Sequence, residues 1–522
     1  MVNLDGNGPI MQLNALIRHL RAVTEPVPGA PDTRRALVTR VIRPADASPA
    51  LIDITGITAD SRRVEPGSLF AAVPGVSVDG HVFAPDAARR GAAALIVERP
   101  LRSAPALPQI MVTDARRALA HAAAILAGHP SRRLRVVGIT GTNGKSTTAC
   151  LVQAILDAAG RRAGLIGTIS YRVGRRTIPA PLTTPDSVTL QALMADMVDE
   201  GLDSVVMEVS SHALDQHRTD AVDFDVACFT HLSSDHGDYH PTPEHYRDAK
   251  GRLFEGLRPG ATAVLNTDDD ASLVYVDRTQ GDVLWYGPDG DVVAEVTERS
   301  LAGSRFTLYA NGDSATVRTR LIGRHNVENA AAAAACALAL GIPLHVAAAG
   351  IESLACVPGR LERVDAGQPF TALVDYAHTD DALDKVLRSL RPLVDDRRLI
   401  VVFGAGGDRD TAKRPRMGAA AAATADSVWI TSDNPRSEDP ADILAQIAAG
   451  VPAPHAHKVR REVDRRRAIF GAVAEAREGD LVLVAGKGHE RTQKLRDVEI
   501  PFDDCQMLRE AITGSPRLSK AS

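Results

Sequence analysis

The sequence predicts an α/β protein with three domains, each built on its own sheet. The chain has 522 residues, more than one ordinary hydrophobic core holds. Short apolar runs alternate with helical stretches along most of it, a pattern typical of parallel sheets covered by helices. Its content of 44% hydrophobic and 24% charged residues is that of a soluble globular protein.

The first predicted domain, residues 1–133, is a small α/β unit. Residues 1 to about 50 are weakly patterned, and Pro26, Pro28 and Pro31 favour an irregular lead-in. From Ile52 to about Pro130, apolar runs such as GAAALIVE and PQIMVTD alternate with turns. We therefore expect a few short strands with helices packed against them.

The second predicted domain, residues 134–357, is a parallel-sheet unit. Its expected strands are RVVGIT, AGLIGT, SVVMEVS, DVACFT and TAVLNT, each separated from the next by a helical stretch. The alanine-rich segment NVENAAAAAACALALG predicts a long helix that closes the unit, with Gly341 as its C-cap.

The third predicted domain, residues 358–522, is entered through the linker VPGRLERVD, residues 357–365. Its expected strands are TALVDYA, RLIVVFG, SVWITS and LVLVAG. Helical stretches lie between them, which predicts a Rossmann-like α/β sheet.

Composition excludes several classes of function. A net charge of −5 and 4% aromatic residues argue against a nucleic-acid surface. The sequence has no run of about 18 apolar residues, and its first residues lack the pattern of a signal peptide. Five scattered cysteines without metal-ligand spacing indicate reduced thiols. We expect a cytoplasmic protein without membrane insertion.

The segment GITGTNGKST, residues 138–147, is a phosphate-binding motif placed between a predicted strand and a predicted helix. Its glycines let backbone N–H groups approach a polyphosphate, Lys145 reaches the terminal phosphates and the Ser146 hydroxyl is a Mg²⁺ ligand. The motif predicts ATP or GTP binding through Gly141, Thr142, Asn143, Gly144, Lys145, Ser146 and Thr147.

Polar clusters end two of the following strands. Glu208 is the expected strand end within SVVMEVSSHAL, and the next strand is followed by Asp235, His236, Asp238 and His240. Mg²⁺ uses few protein ligands together with phosphate oxygens, so Glu208 and one group of the second cluster suffice. The sequence predicts a magnesium site here.

The stretch TSDNPRSEDP places an arginine at a strand end in the third domain. Asn434-Pro435 forces a turn after the strand DSVWI, which leaves Arg436 at the edge where α/β sheets bind ligands. A lone arginine in a loop is usually only solvated, so this position needs an anion to bind before it indicates function.

These motifs occur in an order that resembles the Mur ligases. The shared segments are GTNGKST, TTPD, EVSSHAL, QHR, VPGRLE, VDYAHT, GAGGDRDTAKRP, DNPRSEDP and GKGHE, and the resemblance runs from about Asp60 to Asp504. Mur ligases are ATP-dependent amide-bond ligases of peptidoglycan biosynthesis. The likeness is greatest to the member that adds the third amino acid of the stem peptide. It implies ATP, Mg²⁺, UDP-N-acetylmuramoyl-L-alanyl-D-glutamate and meso-diaminopimelate as ligands, and an acyl-phosphate intermediate.

The resemblance also implies roles for individual residues. Those implied in catalysis are Lys145, Lys250, Glu208 and His236, and those implied in Mg²⁺ binding are Ser146, Glu208, His236 and Lys250, the last as carbamylated N6-carboxylysine. The implied uridine-nucleotide and muramoyl-peptide residues are Ser61, Arg62, His81, Thr183, Thr184, Ser210, Gln216 and Arg218. Besides the phosphate-binding loop, ATP is implied to contact Asn326, Asn329, Arg360, Asp375, Tyr376 and His378. The implied diaminopimelate pocket consists of Arg409, Asp433, Asn434, Pro435, Arg436, Gly486 and Glu490.

The chain departs from the family pattern at four positions, where His231, Ser234 and Gly237 replace Asn, Arg and Leu and Asp380 replaces Pro. Three alternatives stay open at this point. They are an L-lysine-adding ligase of the same family, a ligase similar to folylpolyglutamate synthetase, and a regulatory P-loop switch or binding module.

Overall fold

The computed structural model describes residues 10–27, 30–44, 52–75, 78–104, 106–233, 235–237 and 239–514. Three large sheets follow one another along these residues, and each is covered by helices. The predicted α/β class is therefore confirmed. No helix within the described ranges is both long and apolar enough to cross a membrane.

The first sheet has five strands in the order β4-β9-β8-β7-β6. Only β4 runs antiparallel to its neighbour. The elements of this unit are β1 (Met11–Gln12), α1 (Leu13–Ala22), β2 (Thr24–Val27), β3 (Ala30–Ala36), β4 (Val38–Ile42), β5 (Asp53–Ile54), β6 (Gly56–Thr58), β7 (Ser68–Ala71), α2 (Ala84–Arg89), β8 (Ala94–Val97), β9 (Gln109–Val112) and α3 (Ala115–Leu126).

The expectation of an irregular lead-in was wrong for the described residues before position 45. Helix α1 presents Leu13, Leu16, Ile17 and Leu20 at helical spacing, and all four are buried in the core of the first sheet. The proline-containing segment after the helix is also regular. Strands β2 and β3 pair antiparallel there, with a register shift between Pro26 and Val27.

The central sheet has eleven strands in the order β13-β12-β11-β14-β10-β15-β16-β17-β18-β19-β20. Its elements are β10 (Arg135–Thr140), α4 (Lys145–Ala158), β11 (Ala163–Ile166), β12 (Ser170–Val173), β13 (Arg176–Pro179), α5 (Ser187–Asp199), β14 (Ser204–Glu208), α6 (Ser211–Asp215), β15 (Val226–Phe229), α7 (Pro243–Glu255), β16 (Thr262–Asn266), α8 (Ala271–Val276), β17 (Asp282–Tyr286), β18 (Val292–Ser300), β19 (Gly303–Ala310), β20 (Asp313–Thr319), α9 (Arg324–Ala339) and α10 (Leu344–Ser353).

The middle of this sheet is parallel, as predicted, and both of its faces are buried. In β10, Val137 and Ile139 face one core while Val136 faces the other, the alternation expected of a strand covered on both sides. The sheet continues into antiparallel strands at both edges, β12 and β13 on one side and β19 and β20 on the other. The predicted strands did not include these.

The alanine-rich helix α9 is present, and its small side chains let it pack closely on the central sheet. It ends at Ala339 with Leu340 as C-cap, so the predicted cap Gly341 lies one residue further, with a φ of 74°. Helix α10 follows it, so α9 does not close the unit as predicted.

The third sheet has six strands in the order β21-β22-β26-β23-β24-β25, parallel except for β21. Its elements are β21 (Glu362–Val364), β22 (Thr371–Asp375), α11 (Asp380–Leu390), β23 (Leu399–Phe403), α12 (Lys413–Thr424), β24 (Ser427–Ile430), α13 (Pro440–Ala449), β25 (Val459–Arg461), α14 (Arg465–Glu475), β26 (Leu481–Ala485), β27 (Thr492–Leu495), β28 (Val498–Pro501) and α15 (Asp504–Thr513). The hairpin β27–β28 lies outside this sheet.

Candidate active site

The loop between β10 and α4 has a shape that only glycine allows at two positions. Gly141 and Gly144 have φ angles of 146° and 89°. A Cβ on Gly141 would lie 2.0 Å from the hydroxyl oxygen of Thr230, and one on Gly144 would lie 2.5 Å from the amide oxygen of Asn329. The close approach of the neighbouring residues fixes the loop, which leaves its backbone N–H groups at the start of α4 available to phosphate.

Lys145 is the first residue of α4 and folds back over this loop. Its Nζ donates to the carbonyl oxygens of Gly141 and Thr142, at 2.9 and 2.8 Å. Burial lowers the pKa of its ammonium group. The two carbonyls hold the ammonium group over the loop.

Ser146 and Glu208 form a set of oxygen donors beside Lys145. The Ser146 hydroxyl donates to Glu208 Oε2 at 2.9 Å. The hydroxyl and backbone N–H of Thr168 donate to Oε2 and Oε1 of the same carboxylate, at 3.0 and 2.8 Å. Glu208, at the end of β14, is thus buried and held by its neighbours.

A hydroxyl next to a carboxylate fits Mg²⁺, which prefers oxygen ligands and keeps positions for phosphate oxygens and water. Within the described part of the chain, no group of three or more His, Cys, Asp and Glu residues could hold a metal by itself. A Mg²⁺ ion here would therefore rely on nucleotide oxygens as well as on Ser146 and Glu208.

Lys250 on α7 is buried next to the same loop. Its Nζ donates to the carbonyl oxygen of Gly141 at 3.0 Å and lies 4.3 Å from the ring centroid of Tyr246. Burial and then the charge of Lys145 hold its pKa well below the usual range. A buried lysine that favours the neutral amine fits carbamylation, because the neutral amine is the form that reacts with CO₂.

His236 lies in the loop after β15, with a left-handed φ of 54°. Burial lowers its pKa to about 4, so its ring is neutral, as a metal ligand requires. Its ring centroid is 4.8 Å from that of His212, in a T-shaped arrangement. Of the other residues of this predicted cluster, Asp235 and His240 are described, while Asp238 lies outside the described residues, as does the family departure Ser234.

Arg360 connects the third unit to the phosphate-binding loop. Its Nη2 donates to the Ser146 hydroxyl at 3.2 Å, and its guanidinium carbon lies 4.7 Å from the ring centroid of Tyr376. The buried Nε of Arg360 has no hydrogen-bond partner among the described residues. This unused donor suits an anionic oxygen of a nucleotide.

The other residues implied in ATP binding mainly hold the backbone and one another. Asp375 accepts hydrogen bonds from the N–H groups of Leu361 and Ala377, both at 2.8 Å. Asn329 donates to the amide oxygen of Asn326 at 3.1 Å. These contacts fix the elements around the loop. Tyr376 and His378 differ, because both line the cavity described below.

The residues implied in muramoyl-peptide binding fall into two groups. Near Glu208, the Thr184 hydroxyl donates to the backbone oxygen of Glu208 at 2.8 Å and accepts from the Ser210 N–H at 3.0 Å. Arg218 donates to the carbonyl oxygen of Thr184 at 2.8 Å and to Gln216 Oε1 at 2.7 Å. These four residues are therefore brought together.

Thr183 adjoins this group, since its hydroxyl lies 3.0 Å from that of Thr168. The second group consists of Ser61, Arg62 and His81. They lie in the first unit and do not line the large cavity, described below, to which Thr183 contributes. Arg62 is exposed and pairs with Asp60, whereas Ser61 is buried.

His81 is buried with both ring nitrogens occupied. Nδ1 lies 2.6 Å from Asp79 Oδ1, and Nε2 accepts the N–H of Glu98 at 3.0 Å. The ring therefore connects parts of the first unit to one another. Neither ring nitrogen is available to a ligand in this arrangement, and the implied ligand contact of His81 stays a prediction.

Arg436 follows β24 and has a left-handed φ of 52°. Its backbone N–H donates to the Lys494 carbonyl oxygen at 3.1 Å, which ties it to strand β27. One guanidinium nitrogen, Nη1, donates to the Gly407 carbonyl oxygen at 2.5 Å. A Cβ on Gly407 would lie 1.9 Å from the Pro435 carbonyl oxygen, so the GDRD and DNPR loops are in close contact.

Asn434 and Glu490 form the opposite part of this pocket. Nδ2 of Asn434 donates to Glu490 Oε2 at 2.9 Å, and the buried Lys487 donates to both residues at 3.1 Å. Gly486 leaves room for Asp433, whose Oδ2 would lie 2.6 Å from an added Cβ. A cation from Arg436 and a carboxylate from Glu490 thus flank one pocket.

A cavity of about 1420 Å³ joins this pocket to the central unit. Thr168, Asp235 and His236 line it from the central unit, while Arg436 and Glu490 line it from the third. The other residues predicted for the site that line the cavity are Thr183, Tyr376, His378, Arg409, Asp433, Asn434 and Gly486.

Sequence reasoning missed two residues of this arrangement. Thr168 fixes Glu208 by two hydrogen bonds, and Lys413 lines the cavity from the start of α12. Lys413 lies in the quoted segment GAGGDRDTAKRP, so its signal was present. Thr168 follows a strand without a motif of its own.

Comparison with known proteins agrees with this geometry. Residues 53–138 match the Mur ligase family catalytic domain, residues 139–337 the Mur ligase middle domain, and residues 359–488 the Mur ligase glutamate ligase domain. The chain is 47% identical over 468 residues to UDP-N-acetylmuramoyl-L-alanyl-D-glutamate–2,6-diaminopimelate ligase of Geobacillus kaustophilus (strain HTA426), covering 88% of this chain and 95% of the relative. It is 46% identical over 501 residues to the protein of the same name from Streptomyces coelicolor, covering 93% and 98%.

Solved structures give the same result. A structure of UDP-N-acetylmuramoyl-L-alanyl-D-glutamate–2,6-diaminopimelate ligase superposes with a TM-score of 0.66 at 34% identity, covering 90% of this chain and 96% of that chain. Mycobacterium tuberculosis folylpolyglutamate synthase complexed with ADP superposes with a TM-score of 0.59 at 23% identity, covering 70% and 91%, a likeness of fold alone. On the identity and coverage of these relatives, the chain belongs to the Mur ligase family.

Proposed function

We propose that this chain is an ATP-dependent ligase that joins meso-diaminopimelate to UDP-N-acetylmuramoyl-L-alanyl-D-glutamate in peptidoglycan biosynthesis. The relatives that carry this name match nearly the whole chain. The observation that carries the proposal is the shared cavity, which Asp235 and His236 line from the central unit and Arg436 and Glu490 line from the third.

The first step makes the glutamyl carboxylate reactive. A carboxylate oxygen forms a bond to the γ-phosphorus of ATP while the bond from that phosphorus to the ADP oxygen breaks, which yields an acyl phosphate and ADP. Both reactants are anionic and repel each other, so Lys145 is needed to neutralise developing charge on the phosphoryl oxygens. Arg360 would bind a phosphate oxygen beside the same loop, and its Nε, which has no hydrogen-bond partner among the described residues, supports this role.

We propose that Ser146 and Glu208 hold Mg²⁺ and that carbamylated Lys250 and His236 support a second ion. Mg²⁺ supplies charge neutralisation to the phosphate oxygens when bound. The contact of Ser146 with Glu208 supports this assignment, as do the buried Lys250 amine and the neutral His236 ring.

The second step forms the amide. The neutral α-amine of the incoming amino acid bonds to the acyl carbon, phosphate leaves with the electrons of the broken C–O bond, and the amine proton passes to phosphate or water. In this proposal the pocket that lies between Arg436 and Glu490 holds the far end of the amino acid, which leaves the rest of the shared cavity for the near end.

Selectivity follows from the charges at the far end of the amino acid. meso-Diaminopimelate carries a carboxylate and an ammonium there, whereas L-lysine carries only an ammonium. Arginine binds a carboxylate through two parallel hydrogen bonds, and Glu490 is the matching partner for the ammonium. L-Lysine would leave Arg436 without an anion, so we propose diaminopimelate as the substrate over lysine.

We retain 1–133, 134–357 and 358–522 as the domain limits. The order of the three sheets along the chain supports them. In the same proposal the first domain binds the uridine nucleotide, and the protein acts in the cytoplasm, where these precursors are made.

The test is ADP release by the purified protein with three substrate pairs. We expect rapid release with UDP-N-acetylmuramoyl-L-alanyl-D-glutamate and meso-diaminopimelate, slow release when L-lysine replaces meso-diaminopimelate, and none with a reduced folate and glutamate. Turnover with folate would favour the folylpolyglutamate reading. ATP hydrolysis independent of any amino acid would favour a P-loop switch.

A further inference from the structure

Lys413 is a cavity-lining cation that forms no ion pair with any residue the structure describes. It is the first residue of α12, and its one hydrogen bond among the described residues goes from Nζ to the His378 carbonyl oxygen at 3.0 Å. A neutral carbonyl does not neutralise an ammonium group. A half-buried lysine that faces a cavity in this way has capacity for an anionic partner.

Carboxylates of both the central and the third unit influence the pKa of Lys413. Burial lowers its pKa, while Asp235, Asp433, Asp410 and Asp380 raise it in that order of effect. Asp235 belongs to the central unit, and the same carboxylate also raises the pKa of Lys145. The negative charge of Asp235 thus raises the pKa of a lysine in each of the two units.

The pocket for the far end of the amino acid already contains two arginines that line the cavity, Arg409 and Arg436. Lys413 instead donates a hydrogen bond to the loop that carries Tyr376 and His378, and Asp235 is the carboxylate that raises its pKa most. In the proposed mechanism the phosphoryl group in transfer must reach the substrate carboxylate at the central end of the cavity, so it is an anion that a cation at this position can meet.

We propose that Lys413 binds the transferred phosphoryl group, supplying from the third unit a cation that complements Lys145 from the central unit. This inference rests on the proposed function. As the carboxylate oxygen bonds to the γ-phosphorus and the bond to ADP breaks, Lys413 donates hydrogen bonds to a peripheral phosphoryl oxygen and keeps its own protons. Acyl-phosphate formation then requires the third unit to be in place.

The test compares Lys413→Met and Lys413→Arg with a matched control, Lys458→Met. Lys458 also donates to backbone carbonyl oxygens, those of Ala422 and Ala425 of the same unit, but does not line the cavity. Two quantities are measured. They are steady-state kcat and KM with each substrate, and the acyl phosphate trapped by borohydride reduction when the amino acid is omitted.

We expect Lys413→Met to lower kcat about 100-fold or more and to lower trapped acyl phosphate to a similar extent, with KM for meso-diaminopimelate within about threefold of the unmutated value. Lys413→Arg should recover part of the loss, and Lys458→Met should match the unmutated protein.

Two results would overturn the inference. One is normal acyl-phosphate formation with a raised KM for the amino acid, which would make Lys413 a carboxylate-binding residue. The other is full activity of Lys413→Met. If Lys413→Met does not fold, as judged by its thermal transition, Lys413→Arg decides alone. Complete loss of trapped acyl phosphate in the folded Lys413→Arg variant then counts against the inference. Failure of the unmutated protein to ligate meso-diaminopimelate would instead refute the proposed function.

Discussion

His231 Nε2 lies 2.9 Å from Lys385 Nζ, a contact between the central unit and helix α11 of the third. On its other side, His231 Nδ1 lies 3.0 Å from Asp269 Oδ2. The backbone oxygen of His231 accepts the N–H of Thr142 in the phosphate-binding loop at 2.6 Å. One of the positions at which this chain departs from the family pattern therefore joins that loop to the third unit.

The side chain of His231 should contribute little to catalysis. Both His231 and Lys385 are more than a third exposed, and exposed polar contacts contribute about 0–1 kcal/mol. We expect His231→Asn and Lys385→Ala each to change kcat/KM by less than about fivefold, since the contact to Thr142 uses only backbone atoms. Steady-state kinetics on both variants test this, and a loss of 100-fold in either would mean that the side-chain contact is required for domain closure.

Lys145→Ala should abolish ADP release without loss of the fold. The substitution removes a cation from the phosphates, and such groups typically contribute about 100-fold to 1000-fold in kcat. Circular dichroism and the thermal transition should stay close to those of the unmutated protein. Near-normal ADP release from the folded variant would remove this loop from the mechanism.

Lys250→Ala should be inactive and partly restored by a short carboxylic acid that occupies the vacated space. The carboxylate would replace the carbamate oxygens, whereas a short alkylamine of similar size should restore nothing. Intact-mass measurement of the unmutated protein in bicarbonate gives a second reading, the added mass of CO₂ on Lys250. Equal rescue by the amine would show that only the space matters.

Arg436→Ala and Arg436→Gly form a matched pair. Both remove the guanidinium, so both should raise KM for meso-diaminopimelate steeply and reduce its advantage over L-lysine. Glycine also relieves the left-handed φ of 52°, which costs a non-glycine residue about 1 kcal/mol. We therefore expect the glycine variant to have the higher melting temperature of the two. Unequal KM values would indicate that backbone geometry, in addition to the guanidinium, determines binding.

Asp480 should stabilise the third unit in a pH-dependent way. Burial raises its pKa, but hydrogen bonds from the Arg398 side chain and from the N–H groups of Arg477 and Arg398 outweigh burial and lower it overall. A folded-state pKa below the unfolded value gives stability that is present above the unfolded value, about 3.9, and is lost as pH falls through the folded value.

We expect Asp480→Asn to lower the free energy of unfolding at pH 7 by about 1.5–3 kcal/mol, the usual contribution of a hydrogen bond to a charged group. The deficit should shrink as pH falls below about 4. Urea unfolding of both proteins at several pH values measures it. A deficit that does not change with pH would mean that the charge of Asp480 is not what stabilises the sheet.

The sequence was sufficient where one local pattern decides the outcome. The glycine spacing predicted the phosphate-binding loop, and the apolar runs predicted the parallel strands because such strands are buried on both faces. It was not sufficient for β18 to β20, whose half-exposed strands mix polar and apolar residues. It also could not show that both nitrogens of His81 are occupied, because Glu98 is 17 residues away in the chain.

The cavity has walls from two different sheets, and this has a consequence for inhibitor design. A compound that joins a phosphate mimic to a diamino dicarboxylate would engage both walls at once. Once one end of the compound has bound, the other end would bind at the effective concentration set by the linker. The affinity of the joined compound would therefore be far higher than the affinity of either fragment alone. Such a compound would also discriminate against ATPases that share only the phosphate-binding loop, since those lack the wall that carries Arg436.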